Sequence, residues 1–552
     1  MQSSDAAFPR DCSSLRNGLT GLALLLTGAA IFGSANPAAG AEAATNSVTS
    51  DPVLSLMLEK GMITEDEAAK VQAQVDARRT NPVAIFPASK WKLSDGIKSM
   101  EVFGDLRLRY EDRSYTDPTG GSIDLNRLRY SVRLGLRGEV FDDFYYGLRF
   151  DTSANPRSTW VTMGTSASGN PYQGPFGKST AGIGIGQVYL GWRPASWVEL
   201  TLGKMPNPLF TSSMVWSSSI NPEGAAEHFK YTVGEADLFA NFGQFIYADN
   251  NPLSASSGLG VNSGLGQSAE NIYQIAWQGG LTYHITTNIS AKVGATVYQY
   301  YGLQRSSATQ GISPYFGDPY VGEGSYTGPG SGVYIVNGYS GYPNGSALAG
   351  YESLGYPNNQ VGLNHLLVVE VPFEFNFKLR KLDARVFGDF AYNLEGQQRA
   401  KDAASAYAAY LGYQAQSQNL QQSFSGFAPQ TQDVKAYQIG FALGSKDALG
   451  LVNGTTAKKH AWEFRTYWQH VEQYALDPNL LDLDYFAGAE NMEGIYVAFA
   501  YGFTDNFIGT IRYGNASRIN KLLGTGGTGT DIPNINPIDR MEIFQADVTF
   551  KF

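Results

Sequence analysis

The sequence holds a single cysteine, Cys12, among 552 residues. It precedes the apolar run near the amino terminus, so a mature chain that sheds that segment has no thiol. Disulfides, thiolate metal sites and cysteine nucleophiles are then excluded. Charge is sparse as well, with Asp, Glu, Lys and Arg at 16%. No stretch after the apolar run approaches the roughly 18 unbroken apolar residues of a membrane-spanning helix. The five histidines, His228, His284, His365, His460 and His470, are scattered, without metal-ligand spacing or a serine–histidine–acid arrangement, which argues against an enzyme. The glycine-rich "GTGGTGT" lacks the strand–Gly–helix setting of a phosphate cradle. No basic patch with interleaved aromatics points to nucleic acid. Nothing calls for a cofactor.

Glycine (63), Tyr (33) and Phe (30) are abundant, a mixture suited to many twisted strands. At the front, Arg10 and Arg16 precede "LTGLALLLTGAAIFG", and small residues follow in "SANPAAGA". This is the pattern of a secretory signal peptide over 1–41, cleaved after Ala41. Residues 42–100 form an amino-terminal helical segment and linker. Thr64 and Glu67 in "TEDEAAKVQAQVDARR" have capping-box spacing, and Asn81-Pro82 and Phe86-Pro87 end the segment. This helix either trimerises in the periplasm or serves as a spacer.

From residue 101 the hydrophobic period becomes two. In "EVFGDLRLRYEDR", Val102, Leu106, Leu108 and Tyr110 share one face and Asp105, Arg107, Arg109 and Glu111 the other. The pattern recurs in sixteen segments, near 102–113, 126–140, 143–152, 184–193, 197–204, 226–233, 236–246, 271–284, 288–301, 362–377, 383–394, 433–445, 460–472, 492–502, 506–515 and 541–552. Several reach the roughly 9–11 tilted residues that cross a bilayer. Connections after even-numbered segments are mostly tight, such as "FD", "RPAS" and "FTD", with 446–459 a medium exception. Those after odd-numbered segments are long: 153–183, 205–225, 247–270, 302–361, 395–432, 473–491 and 516–540. Short turns on one rim and long loops on the other imply an all-β fold, a transmembrane antiparallel β-barrel of about sixteen strands. Lipid offers the backbone no hydrogen-bond partner, so the last strand must pair with the first.

Three stretches, "LGKMPNPLFTSSMVWSSSINPEGAA" (202–226), "DVKAYQIGFALGS" (433–445) and "DLDYFAGAENMEGIYVAFAYGFTDNFIGTIRY" (482–513), resemble the Gram-negative "putative porin" family and, more distantly, phosphate-selective porins. "MLEKGMITEDEAAK" echoes that family's amino-terminal helix. The terminal Phe552 on an alternating strand is similar to the signal read by the outer-membrane barrel-assembly machinery. The resemblance implies a sixteen-stranded homotrimeric diffusion channel, set in outer-membrane lipid and passing small hydrophilic solutes or anions. A non-conducting barrel that tethers the envelope through 51–80 is the alternative.

For such a channel the chemistry lies in the lining. Arg107, Arg109, Arg127, Arg129, Arg133, Arg137, Arg149, Arg193 and Lys204 are expected on the inward face with Asp105, Glu111, Glu139, Asp151 and Glu199. They form either an anion-facing ladder or cross-strand pairs that brace the wall. The net charge of −10 does not distinguish these, because one sum says nothing about the lumen. In the resembled family the third loop narrows the channel. Here that is "KMPNPLFTSSMVWSSSINPEG", where Pro206, Pro208 and Pro222 stiffen the backbone, Phe210, Met214 and Trp216 pin it inward, and Glu223 faces solute opposite Lys204. Loop 302–361 is expected to be a mobile cover, and 402–416 a short helix.

Overall fold

The computed structural model describes residues 96–552 apart from 117–119, 142, 154–157, 165–181, 249–271, 302–364, 402–431, 457, 522, 524 and 526–537, and also residues 60, 64, 67, 68 and 70. The chain divides into two units, 1–92 and 93–552. In the first, the Thr64 amide donates to Glu67 Oε2 (2.9 Å) and the Glu67 amide to Thr64 Oγ1 (3.4 Å), the reciprocal bonds of a capping box. Most of the helix expected over 51–80 lies outside the described residues, as do loop 302–361 and segment 402–416.

The second unit is built from sixteen long strands: β1 Glu101–Thr116, β2 Ser122–Val140, β3 Phe144–Thr152, β4 Ile183–Ala195, β5 Val198–Lys204, β6 Glu223–Val233, β7 Ala236–Ala248 and β8 Ile272–Thr286. They continue as β9 Ile289–Tyr301, β10 Leu367–Leu379, β11 Leu382–Asn393, β12 Lys435–Ser445, β13 Trp462–Val471, β14 Met492–Gly502, β15 Phe507–Arg518 and β16 Arg540–Lys551. Each matches a segment read from the period-two pattern. A two-residue strand, Val161–Thr162, extends the sheet beside Arg129 and Tyr130 of β2.

Every long strand pairs antiparallel with its sequence neighbours, and β16 returns to β1 in register from Asp105↔Lys551 to Thr116↔Arg540. The Gly104 amide donates to the Phe552 carbonyl (3.0 Å) and the Phe552 amide to the Gly104 carbonyl (3.2 Å), finishing the seam. The described strands thus form a closed barrel without a free edge, as a hydrocarbon surround demands. Val102, Leu106, Leu108, Phe544, Val548 and Phe550 stand exposed on the outer row of this seam, while Asp105, Arg109, Glu111, Gln545 and Asp547 on the alternate row are buried. Stacked aromatics, Phe144 on Trp192 and Trp197 on Phe229, lie beside the tight turns, where aromatic girdles meet the interface.

Two connections depart from the simple rule. The first odd-numbered one spans only 117–121, so long loops begin after β3. The medium connection 446–461 folds back into the barrel, burying Ala448, Leu451 and Val452.

The inward rows alternate aromatics with glycines because rings lie flat on the wall. A Cβ on Gly191 would stand 1.9 Å from Cζ of Tyr145, and one on Gly147 2.4 Å from Cζ of Tyr189. Gly191→Ala is therefore expected to lift Tyr145 off the wall and break its hydrogen bond to Glu199 Oε1 (2.5 Å). The expected outcome is a loss of about 1–3 kcal/mol by thermal unfolding together with a smaller single-channel current.

Candidate pore and its lining

We name the external loops in order, so that L3 is 205–222 and L7 is 472–491. L3 leaves the wall at β5 and crosses as far as β11. Asn207 Oδ1 accepts the Leu209 amide (3.0 Å), a side-chain turn that Pro206 and Pro208 bracket. The Phe210 amide donates to Gln278 Oε1 on β8 (2.8 Å), and Gln278 Nε2 donates back to the Phe210 carbonyl (2.7 Å). The Phe210 ring lies beneath the Lys292 ammonium of β9, 3.9 Å from the ring centroid. Thr211 Oγ1 donates to Glu370 Oε1 on β10 (2.6 Å) and Ser212 Oγ to Asp389 Oδ2 on β11 (2.5 Å). Met205, Met214 and Trp216 are buried. Trp216 meets Phe245 edge-on and sends Nε1–H to the Ile220 carbonyl (3.0 Å).

A cavity of about 810 Å³ borders one side of L3, lined by Trp216, Pro222, Tyr247, Lys204 and Glu223. Another of about 620 Å³ borders residues 205–208 and the lower wall, lined by Tyr145, Tyr189, Arg193, Glu199 and Pro206.

The cations expected along the lumen are each held by a carboxylate. Arg107 (2.9 Å) and Arg133 share Asp105. Arg127 meets Glu111 through Nε at 2.7 Å, and Arg113 (3.1 Å) and Arg129 (3.5 Å) reach the same carboxylate. Arg109 forks onto Asp547 at 2.7 and 2.9 Å, contacts Asp484 of L7 at 2.6 Å, and is covered by Trp160, whose centroid is 4.1 Å from Cζ. Arg512 bonds the other face of Asp547. Arg149 pairs with Asp151 (2.7 Å), Arg193 with Glu199 (3.0 Å) and Arg137 with Glu101 (2.7 Å). Lys204 binds Glu223 at 2.6 Å, but its register opposite Val188 places it with the outward row of Val188, Leu190 and Leu202, where L3 departs. Glu139 is exposed, its carbonyl accepting the Lys98 amide (2.9 Å) at the rim.

The pairing is uneven. Among the described residues, Arg107, Arg109, Arg113, Arg127, Arg129, Arg133 and Arg512 gather on this wall, several of them sharing Asp105, Glu111, Asp484 or Asp547. Across the lumen, Glu370 and Asp389 are held by the hydroxyls of Thr211, Tyr298 and Ser212. Arg385 pairs with Glu374 lower on that side (3.3 Å).

L7 also enters the barrel. Asp477 accepts hydrogen bonds from Tyr247 (3.2 Å) and Tyr300 (2.6 Å), and the Ser217 amide of L3 donates to the Leu480 carbonyl (2.7 Å). Leu476, Leu481, Tyr485 and Phe486 are buried against Tyr467 and Tyr496. Burial and the adjacent Asp484 push the Asp482 carboxyl up to about 7. Burial opposes the charge of Asp484 too, yet Arg109 and Arg113 hold its carboxyl well below the usual range. The family-like stretch 482–513 covers half of L7 without signalling its inward course. The available signal was the small inward row Ala436, Ala442, Ala498, Ala500 and Ala516, which leaves room beside the wall for a second loop.

The histidines have local partners: His228 Nδ1 contacts Asn241 Oδ1 (2.5 Å), His284 contacts Asp237 (2.8 Å), His460 contacts Tyr501 (2.7 Å) and His470 contacts Glu493 (2.8 Å). They are not brought together.

A closed membrane barrel with charged inward rows and a loop laid across them defines the porin class. The family model described as "Putative porin" matches residues 119–552, and the chain belongs to that family. No curated protein matches the chain. Among solved structures, OprB of Pseudomonas putida is similar at 12% identity, covering 82% of this chain and 94% of that one, with a TM-score of 0.41. An anion-selective porin from Comamonas acidovorans has 8% identity, coverage of 82% and 99%, and a TM-score of 0.38. The outer-membrane channel DcaP of Acinetobacter baumannii has 9% identity, coverage of 84% and 99%, and a TM-score of 0.37. Similarity this distant identifies no solute for this chain.

Proposed function

We propose that the protein is an outer-membrane porin through which small hydrophilic solutes diffuse passively, with a weak preference for anions. The observation that carries this reading is the closed wall, oily outside and charged inside, with L3 hydrogen-bonded across its interior to β8, β10 and β11. On this reading residues 1–41 export the chain, Phe552 presents it to the assembly machinery, and three copies associate. L3 sets the size limit, and the wall of β1–β3 sets the charge preference.

The arginines act mainly as wall braces, since each is tied to a carboxylate. Selectivity comes from the crowding of these guanidiniums on one wall, several sharing a carboxylate, rather than from a free ladder. The crowding of arginines on one wall makes the lumen's charge uneven, giving a transverse field that orients dipolar solutes. Fixed cations favour anions by offsetting lost hydration.

The test is purified protein in a planar bilayer. Stepwise conductance is expected, with a reversal potential in a salt gradient that shifts toward the anion. The shift should shrink between pH 6 and pH 8. Asp482, whose carboxyl sits at about 7, is protonated at the lower pH and adds a negative charge beside Arg109 and Arg113 at the higher. The same group makes the fold less stable as pH rises from about 4 to about 7, because the folded state holds the proton more tightly. Well-folded protein without current steps would overturn the channel reading. A cation shift at both pH values would overturn the anion preference alone.

A further inference from the structure

Among the described tight-rim turns, the connection 446–461 is the one that does not stay at the rim. Gly450 and Gly454 take positive φ (106° and 84°) and bracket a single 3₁₀ turn, Leu451–Asn453. Leu451 and Val452 are buried in the same apolar cluster as Phe387, Tyr467, Ala498 and Ile508 of the inward rows. Glu463 Oε2 on β13 accepts the amides of Gly450 (2.9 Å) and Val452 (2.8 Å). Arg512 of β15 donates to the Val452 carbonyl (3.0 Å), and Lys551 of β16 to the Gly454 carbonyl. A hairpin serving only to reverse the chain needs two to five residues. This one is longer, and its extra residues are spent inside the barrel.

Arg512 also holds Asp547, which holds Arg109, which holds Asp484 of L7. The turn and L7 are thus ends of one polar column along β13–β16 and β1. We propose that 446–461 is a fixed ledge at the periplasmic mouth which, with L7 above it, closes off the β11–β16 side of the lumen. Solute is then confined to the side under β2–β9, and the ledge is a second size limit, on the exit side of L3. The inference rests on the porin reading.

The test uses the full chain in a Cys12→Ser background, with Asn453→Cys on the exposed crest of the ledge. A bulky methanethiosulfonate reagent added from the turn side is expected to lower single-channel conductance about twofold or more. The same label on Thr287→Cys, in the exposed turn between β8 and β9, should leave it unchanged. Replacing 449–456 with Gly-Ser-Gly, in protein that retains heat-modifiable barrel migration, is expected to raise conductance by about half or more. Complete labelling of Asn453→Cys without a change in current, or a shortened turn that folds and conducts as the parent does, would overturn the ledge. A parent protein that gives no current would instead overturn the porin reading.

Discussion

Replacing residues 207–219 with two glycines is expected to raise single-channel conductance about two- to fourfold and to admit solutes that the parent excludes. The size of the effect comes from the path of the loop. L3 does not line one wall but runs from β5 to β11, and its tip rests on Gln278, Lys292, Glu370 and Asp389. Ion flow scales with the open cross-section at the narrowest level, so removing a crossing segment acts more strongly than trimming a side chain. A graded version separates the loop's presence from its rigidity. Thr211→Val with Ser212→Ala leaves L3 in place but removes two hydroxyl donors from buried carboxyl groups, at about 1–3 kcal/mol for each acceptor left unsatisfied. That variant should keep the parent's mean conductance and add flicker between levels. If the shortened loop folds and conducts as before, L3 does not set the size limit. Another level, the ledge at 446–461 among them, would then hold it.

The barrel was legible because lipid imposes a rule that the sequence must obey at every second position. Val102, Leu106 and Leu108 had to face out, so Arg107 and Arg109 had to face in. Strand number and loop side came from the same alternation. Lys204 keeps the alternation, two residues after outward Leu202 and opposite outward Val188, so its charge and not its parity suggested an inward face. The partners of the arginines were less legible. Arg109 lies 375 residues from Asp484 and 438 from Asp547, separations that no local pattern spans. Composition showed cations and acids on one face, but only closure of β1 on β16 brings Asp547 beside Arg109. The inward course of L7 was hidden for a related reason. Its side chains pack against alanines dispersed over β12–β15, and an alanine by itself does not say what fills the space above it.

Arg109→Met should be among the most damaging single substitutions in the barrel, costing about 3–5 kcal/mol. The guanidinium is 2% exposed, and it joins β1 both to the closing strand β16 and to L7. Its loss leaves Asp547 to Arg512 and takes from Asp484 its closest cation, so the penalty is chiefly that of buried carboxylates stripped of a partner. Arg109→Lys keeps the charge but cannot fork onto Asp547 and reach Asp484 at once, so an intermediate loss is expected. The triple variant Arg109→Met, Asp484→Asn, Asp547→Asn should recover most of the stability, because the uncompensated charges go with the arginine. The readout is the temperature at which heat-modifiable migration is lost, measured beside the reversal potential. Stability and selectivity should part company in this series. The triple variant regains the first but removes one cation and two carboxylates near L7, so its anion preference should increase. A single Arg109→Met that unfolds at the parent's temperature would mean that the network decorates the wall without bracing it, and the arginines would then act on solute as a ladder.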